Sequence, residues 1–242
     1  MNWTSVRQVF IKDMQELSKN RYVFYSMLFL PVLLVAISIF NIYSAVTSGS
    51  PASTVALLVT TFSTIIIFIP AIISVLIGAT SVVIEKNNRS LEPLLATPIT
   101  DAELLVGKAL TPFVPAIVLG LLAYGVIIPA VDYLTYPVFG AYVLPTHMIL
   151  YQMFVLTPLV GLFGTFVALF ISTKIKDVRG AQQVSMLTVM PLFVILIVGS
   201  LSLASTFDLL VAVTLVLVLA VVGFAMLTIK QFNRESILIS WK

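Results

Sequence analysis

The chain has 242 residues, 60% of them hydrophobic and only 10% charged, with a mean hydropathy of +1.14. A soluble domain carries about a quarter charged residues, so a water-soluble enzyme or carrier is excluded and an integral helical membrane protein is implied. The formal charge of +3 is read through membrane topology rather than as a nucleic-acid footprint, and the absence of cysteine excludes disulfides and thiolate metal sites.

The N-terminal segment is interrupted by Asp13 and Glu16, and no small-residue cleavage site follows the first apolar run. That is not the layout of a signal peptide. Trp3, Val6, Phe10, Met14 and Leu17 recur every three or four positions with Ile11 beside them, while Arg7, Lys12, Asp13, Glu16 and Lys19 fall elsewhere on the wheel. Residues 1–20 are therefore expected as an amphipathic helix along the membrane surface, its apolar face in the acyl boundary. A charged extension that only fixes orientation is the plainer alternative.

Charges mark the span boundaries that follow. Spans are expected at about 22–43, 54–84, 104–131, 147–172, 181–203 and 209–229. The first two are separated by "VTSGSPAST", a turn signal. The second exceeds the roughly 20 residues a bilayer needs, so it should tilt, bend near Pro70 or project from the membrane. All 13 Lys and Arg fall in four segments, at 7–21, 86–108, 174–179 and 230–242. Six spans place these segments on one side, and the positive-inside rule makes that side and both termini cytoplasmic. The opposite loops hold only Asp132, His147 and Asp208.

Residues 85–101 form an insert between the second and third spans. No charged residue lies between Tyr22 and Ile84, and then Glu85, Lys86, Arg89 and Glu92 come together around a leucine-rich stretch. Ser90 can cap a short helix there and Pro93 is tolerable in its first turn. Leu91, Leu94 and Leu95 then share one face, and Pro98 ends the run. An ordinary interfacial loop and a partner-docking helix both fit these residues.

"EKNNRSLEPLLATPITDAELLVGKAL" resembles the signature of ABC-2 type permeases, the membrane subunits of type-2 ABC exporters. The matching residues are Glu85, Ser90-Leu91-Glu92, Leu94-Leu95, Thr97-Pro98-Ile99 and Gly107-Lys108. "STKIKDVRGAQQVSMLTVMPL" at 172–192 is similar to the family's fourth cytoplasmic loop and fifth helix, and "FNRESILISWK" has the family's look. With six spans, the resemblance covers essentially the whole chain as one ABC-2 type domain, 1–242. Arg89 stands where many members have Gly, and no room exists between the fifth and sixth spans for the re-entrant helices of some polysaccharide-exporting relatives.

The resemblance implies that the insert is a coupling helix resting in a cleft of a separate ABC ATPase subunit. Glu85, Arg89, Ser90, Leu91, Glu92, Leu94 and Leu95 would then be the docking residues, leucines as apolar contact and charges as polar rim. It also implies two permeases, as identical chains or with a paralogue, and two ATPases, with the first and fifth spans near the permease interface. The complex would sit in a prokaryotic plasma membrane, with membrane lipids as further partners and no nucleic acid. This chain should bind no cofactor, ATP and Mg belonging to the partner. "LVGKAL" at 105–110 lacks the preceding Gly and following Ser/Thr of a P-loop.

Other chemistries find little support. His147 stands alone at a span edge, and no carboxylate cluster lies within a span. The absence of charge near any span centre disfavours an ion-coupled carrier. Ser63, Thr64, Ser74, Gln152, Thr157 and Ser185 are expected mostly to bond to backbone carbonyls or neighbouring helices. An ATP-driven exporter permease, moving substrate outward, is thus the leading function. A non-transporting scaffold or sensor with the same fold is the alternative.

Overall fold

A computed structural model describes residues 2–19, 21–87, 100–201 and 207–231. Among these, every regular element is helical: α1 (Trp3–Lys19), α2 (Arg21–Thr47), α3 (Ala52–Ile66), α4 (Phe68–Asn87), α5 (Asp101–Phe139), α6 (His147–Tyr151), a π turn (Gln152–Leu156), α7 (Thr157–Ser172), α8 (Val178–Leu201) and α9 (Phe207–Gln231). Six stretches of the described residues are long and apolar enough to cross a membrane: Val23–Thr47, Ala52–Glu85, Ala102–Phe139, His147–Ser172, Val178–Val198 and Leu210–Gln231. The chain is an all-α integral membrane protein. The segment 88–99, which holds most of the insert, lies outside the described residues, as does 232–242.

The second span is the hub. α4 packs against α5, α7 and α8, while α2 leans on α5 and α3, and α9 on α7. In the second span 78% of the apolar window is buried, against 22% in the first, fifth and sixth. Those three therefore keep one broad apolar face for lipid or another chain.

Its length is accommodated by a break. Ile67 interrupts the helix between α3 and α4, and Pro70 follows in the first turn of α4. Proline has no N–H to donate to the carbonyl of Ile66 and its ring crowds that turn, which explains the bend there. Pro70 and Ala71 are then gripped by glycines. A Cβ added at Gly120 would lie 2.6 Å from Pro70 Cγ, one at Gly161 would lie 3.4 Å from Pro70 Cβ, and one at Gly164 would lie 2.8 Å from the Ala71 carbonyl oxygen. Gly78 makes a similar approach to Ala168. The small residues thus join helices within this chain.

The third span corrects the sequence boundaries. It was expected to end near Val131, but α5 runs 39 residues to Phe139 and stops at Gly140, whose φ is +67. At 1.5 Å per residue it is about 58 Å long, well beyond a hydrocarbon core of about 30 Å. Four internal prolines do not stop it, since neighbouring helices in a membrane bundle can satisfy the freed carbonyls. Nor does Asp132, because its Oδ1 accepts from the backbone N–H of Val143 (2.9 Å) and Leu144 (2.8 Å) in the returning loop. Thr135, beyond the expected end of the span, is fully buried in α5 and donates to the Val131 carbonyl at 2.9 Å.

Candidate functional site

The two stems of the insert are the C-terminal end of α4 and the first turns of α5. α5 begins with a capping box: Thr100 Oγ1 accepts from the Glu103 N–H, and Glu103 Oε2 accepts from the Thr100 N–H at 3.1 Å. This reciprocal pair satisfies two donors that a helix start leaves orphaned. Glu103 also accepts from the backbone N–H of Asn2. The N-terminal segment is thereby fastened to one stem.

Packing continues along α1. At Gly107 an added Cβ would sit 2.9 Å from both Cβ and Cγ1 of Val9 and 3.3 Å from the Val6 carbonyl oxygen. Only a residue without a side chain lets α1 lie this close. Val6 and Val9 are almost fully buried, and Val9 joins Val82, Leu104, Leu105 and Leu169 in a small apolar cluster.

Beyond that seat lies a buried ion network. Lys108 and Asp13, with side chains 1% and 2% exposed, pair at 3.2 Å. Lys108 also pairs with Glu85 on α4, which is 3% exposed. Lys12 reaches Glu85 at 3.2 Å and Glu16 on its own helix at 3.6 Å. Thr111 and Ser81 hydroxyls lie 3.5 Å from Asp13 Oδ2. Burial pushes the Asp13 carboxyl up, against the pull of Lys108. Burial opposes the charge on Lys12, but Glu85 and Glu16 outweigh it and hold its pKa above the usual value. Such charges are tolerable out of water only while paired.

Asp13, Glu16 and Glu85 bring carboxylate oxygens within 4.8 Å of one another, the only such grouping among the described residues. Lys12 pairs with two of these carboxylates, Glu16 and Glu85, and Lys108 with Asp13 and Glu85.

This arrangement corrects two expectations. Asp13 was placed away from the apolar face of α1, yet it continues the stripe Val6, Val9, Asp13 that faces α5. On the expected membrane-facing stripe, Trp3 is 65% exposed, while Phe10, Met14 and Leu17 are half-buried. The apolar side of α1 is therefore divided between protein and surroundings. Glu85, expected at the outer polar rim of the insert, is turned inward onto Lys108 and Lys12. Arg89, Ser90, Leu91, Glu92, Leu94 and Leu95 lie outside the described residues. Lys108 and Asp13 were missed as site residues. The signal was a lysine several residues inside an apolar span, and an aspartate at i+4 from Val9 and i+7 from Val6.

Between the Lys108 network and Asp132, the buried polar groups among the described residues are neutral. Gln152 Nε2 donates to Thr64 Oγ1 at 3.3 Å, the Tyr124 hydroxyl to the Ser63 carbonyl at 3.2 Å, and Thr157 Oγ1 to the Gln152 carbonyl across the π turn at 2.9 Å. Gln182 Nε2 bridges α8 to α4 through the Leu76 carbonyl and Thr80 Oγ1. Ser63, Ser74 and Ser185 hydroxyls are buried with no hydrogen-bond partner among the described residues. Expected partners thus exist for Thr64 and Thr157 but not for these three serines.

Comparison with curated proteins returned no match. A family model described as ABC-2 family transporter protein matches residues 14–179, which takes in both insert stems, the Lys108 network's α4 and α5 members and four of the six spans. That is well over half of the chain, and together with the six apolar helices it identifies the protein as a member of the ABC-2 transporter family, a membrane component of an ABC transporter.

Proposed function

We propose that this chain is the permease subunit of an ATP-driven exporter, and that its insert at 85–101 is the docking element for a separate ABC ATPase. The observation that supports this most is the bracing of the insert's stems. Glu85 and Lys108 are tied together by buried charge, and Glu103 and Gly107 are tied to α1 by a hydrogen bond and close packing. A loop with no mechanical duty needs no such foundation. Arg89, Ser90, Leu91, Glu92, Leu94 and Leu95 form the contact with the ATPase cleft. ATP and Mg bind on the partner, and closure of two ATPases drives two permeases between inward- and outward-open states.

The second permease is another copy or a paralogue. The broad apolar faces of α2 (Phe24, Phe29, Phe40) and α8 (Leu187, Met190, Val198) are exposed in the single chain. Both helices pack on α3, and their exposed apolar faces suit a permease interface. The confinement of Lys and Arg to one end supports a cytoplasmic assignment for that end.

Leu94→Asp tests the docking role. It puts a charge into the proposed apolar contact, in the charged insert between two spans, so membrane insertion should be normal while ATPase association or transport is lost. Wild-type complex formation and activity in that variant would show an inert loop. Native mass spectrometry should find two permeases with two ATPases. A one-to-one complex that still transports would refute the assembly.

A further inference from the structure

We propose that the crevice between α2 and α5 holds an acyl chain of an anionic phospholipid from the leaflet at the basic end of the molecule, with Arg21 holding the lipid's phosphate. The site is independent of the ATPase-docking reading and shares no residue with the insert or its stems.

The crevice has a volume of about 380 Å³, within the roughly 300–1,000 Å³ of small-molecule sites. Its walls run from Leu28 to Ile39 on α2 and from Leu119 to Val126 on α5, and every side chain lining them is apolar. Ala36 and Ala123, one on each wall, offer only a methyl group to fill it. Val32 and Leu122, also lining it, are exposed in the single chain. Both belong to membrane spans, so the crevice opens sideways into hydrocarbon and not into water.

Charge selects the lipid. Along α2, Arg21, Leu28 and Val35 repeat at seven residues, with Val32 and Ile39 one turn beyond the last two, so Arg21 lies on the same side of the helix as the crevice. Arg21 is exposed, and none of the ion pairs of the described residues includes it. The carboxylates before it in sequence, Asp13 and Glu16, are engaged by Lys108 and Lys12. A guanidinium offers a planar fork of donors that matches phosphate.

Length agrees with charge. At 1.5 Å per residue, Leu28 lies about 10 Å and Ile39 about 27 Å along the helix from Arg21. One leaflet with its headgroups is about 20–22 Å thick. A chain hanging from a phosphate at Arg21 therefore enters the crevice at Leu28 and ends inside it. Phe29 and Phe40, assigned above to the permease interface, lie about a quarter-turn away around α2, so crevice and interface can be filled together.

The test uses the full-length permease in vesicles of equal phosphatidylcholine and phosphatidylglycerol. A trace of either lipid with a diazirine on its acyl chain is photolysed, and labelled residues are mapped by mass spectrometry. Labelling of the crevice is referred to that of Leu215 and Leu219, exposed positions on α9. The phosphatidylglycerol probe should label the crevice about five-fold more than the phosphatidylcholine probe, the weight of one cation at an anionic lipid surface. Arg21→Gln should remove that preference. Ala123→Leu should fill the crevice and suppress labelling by both probes. Ala36→Leu, at an exposed position on the other wall, makes the same test should the buried Ala123 variant fail to fold. Equal labelling of the wild-type crevice by the two probes would overturn the proposal, as would a preference that survives Arg21→Gln or labelling that survives both leucine variants. It is equally overturned if Ala36→Cys cross-links two copies while the crevice stays unlabelled, since a second permease then occupies it.

Discussion

Two aspartates bury their carboxylates at opposite ends of α5, and they do so by unlike means. Asp132 accepts two backbone N–H groups from a loop eleven and twelve residues further along the chain. Asp13 meets a lysine 95 positions away on another helix. The first solution is local and neutral on the donor side, so it fixes one turn and nothing else. The second depends on three helices being in place together, because Lys108 on α5 is shared by Asp13 on α1 and Glu85 on α4. The far end of the molecule is built to hold a loop still. The basic end is built from ion pairs that join three helices.

The largest break in this comparison is Lys108→Met. It leaves Asp13 and Glu85 buried without their shared cation, and loss of one member of a buried ion pair costs about 3–5 kcal/mol. Thermal unfolding in detergent should show that loss or a failure to recover folded protein. Gly107→Leu should act next. It drives α1 off its seat without touching a charge, and overpacking of this kind costs about 1–3 kcal/mol. Maleimide labelling of Thr111→Cys should then become rapid while the spans remain folded. Asp132→Asn sharpens the contrast from the other side. The amide oxygen still accepts from Val143 and Leu144, so the expected cost is about 1 kcal/mol or less.

The smallest effect is on pH dependence. Burial raises the Asp13 carboxyl above its ordinary value, so the folded chain takes up that proton before the unfolded chain does. Between the raised value and the ordinary one, acidification therefore increases the contribution of Asp13 to stability, the reverse of a salt-bridged carboxylate with a lowered pKa. The stability difference between the wild type and Asp13→Asn should grow as pH falls through that window. Melting temperatures in a pH series check the sign.

The contrast also marks where sequence reading succeeds. Apolar length and the confinement of Lys and Arg to four segments sufficed for six spans, because both follow from the cost of charge in hydrocarbon. The same reasoning misplaced the end of the third span. It treats Asp132 as a boundary, whereas the residue that stops α5 is Gly140, and Asp132 is accommodated by loop N–H groups that no periodicity reveals. The helical wheel likewise assigned Asp13 by polarity to the outer side of α1. Only its partner Lys108 makes the inner position tenable, and pairing over 95 residues is a tertiary fact. Glu85 was legible as a motif residue, but the direction it faces was not, since one helix turn carries it from the rim to the interior.

Pro70 among Gly120, Gly161 and Gly164 has a consequence for how displacement travels through the bilayer. The pyrrolidine ring acts as a key in a lock made by two other helices. Axial slip of the second span would push Ile69 or Ala71 into a space with no spare volume, whereas rotation about the key requires none. A displacement of the second span would therefore be accommodated at Pro70 as tilt rather than as a piston stroke.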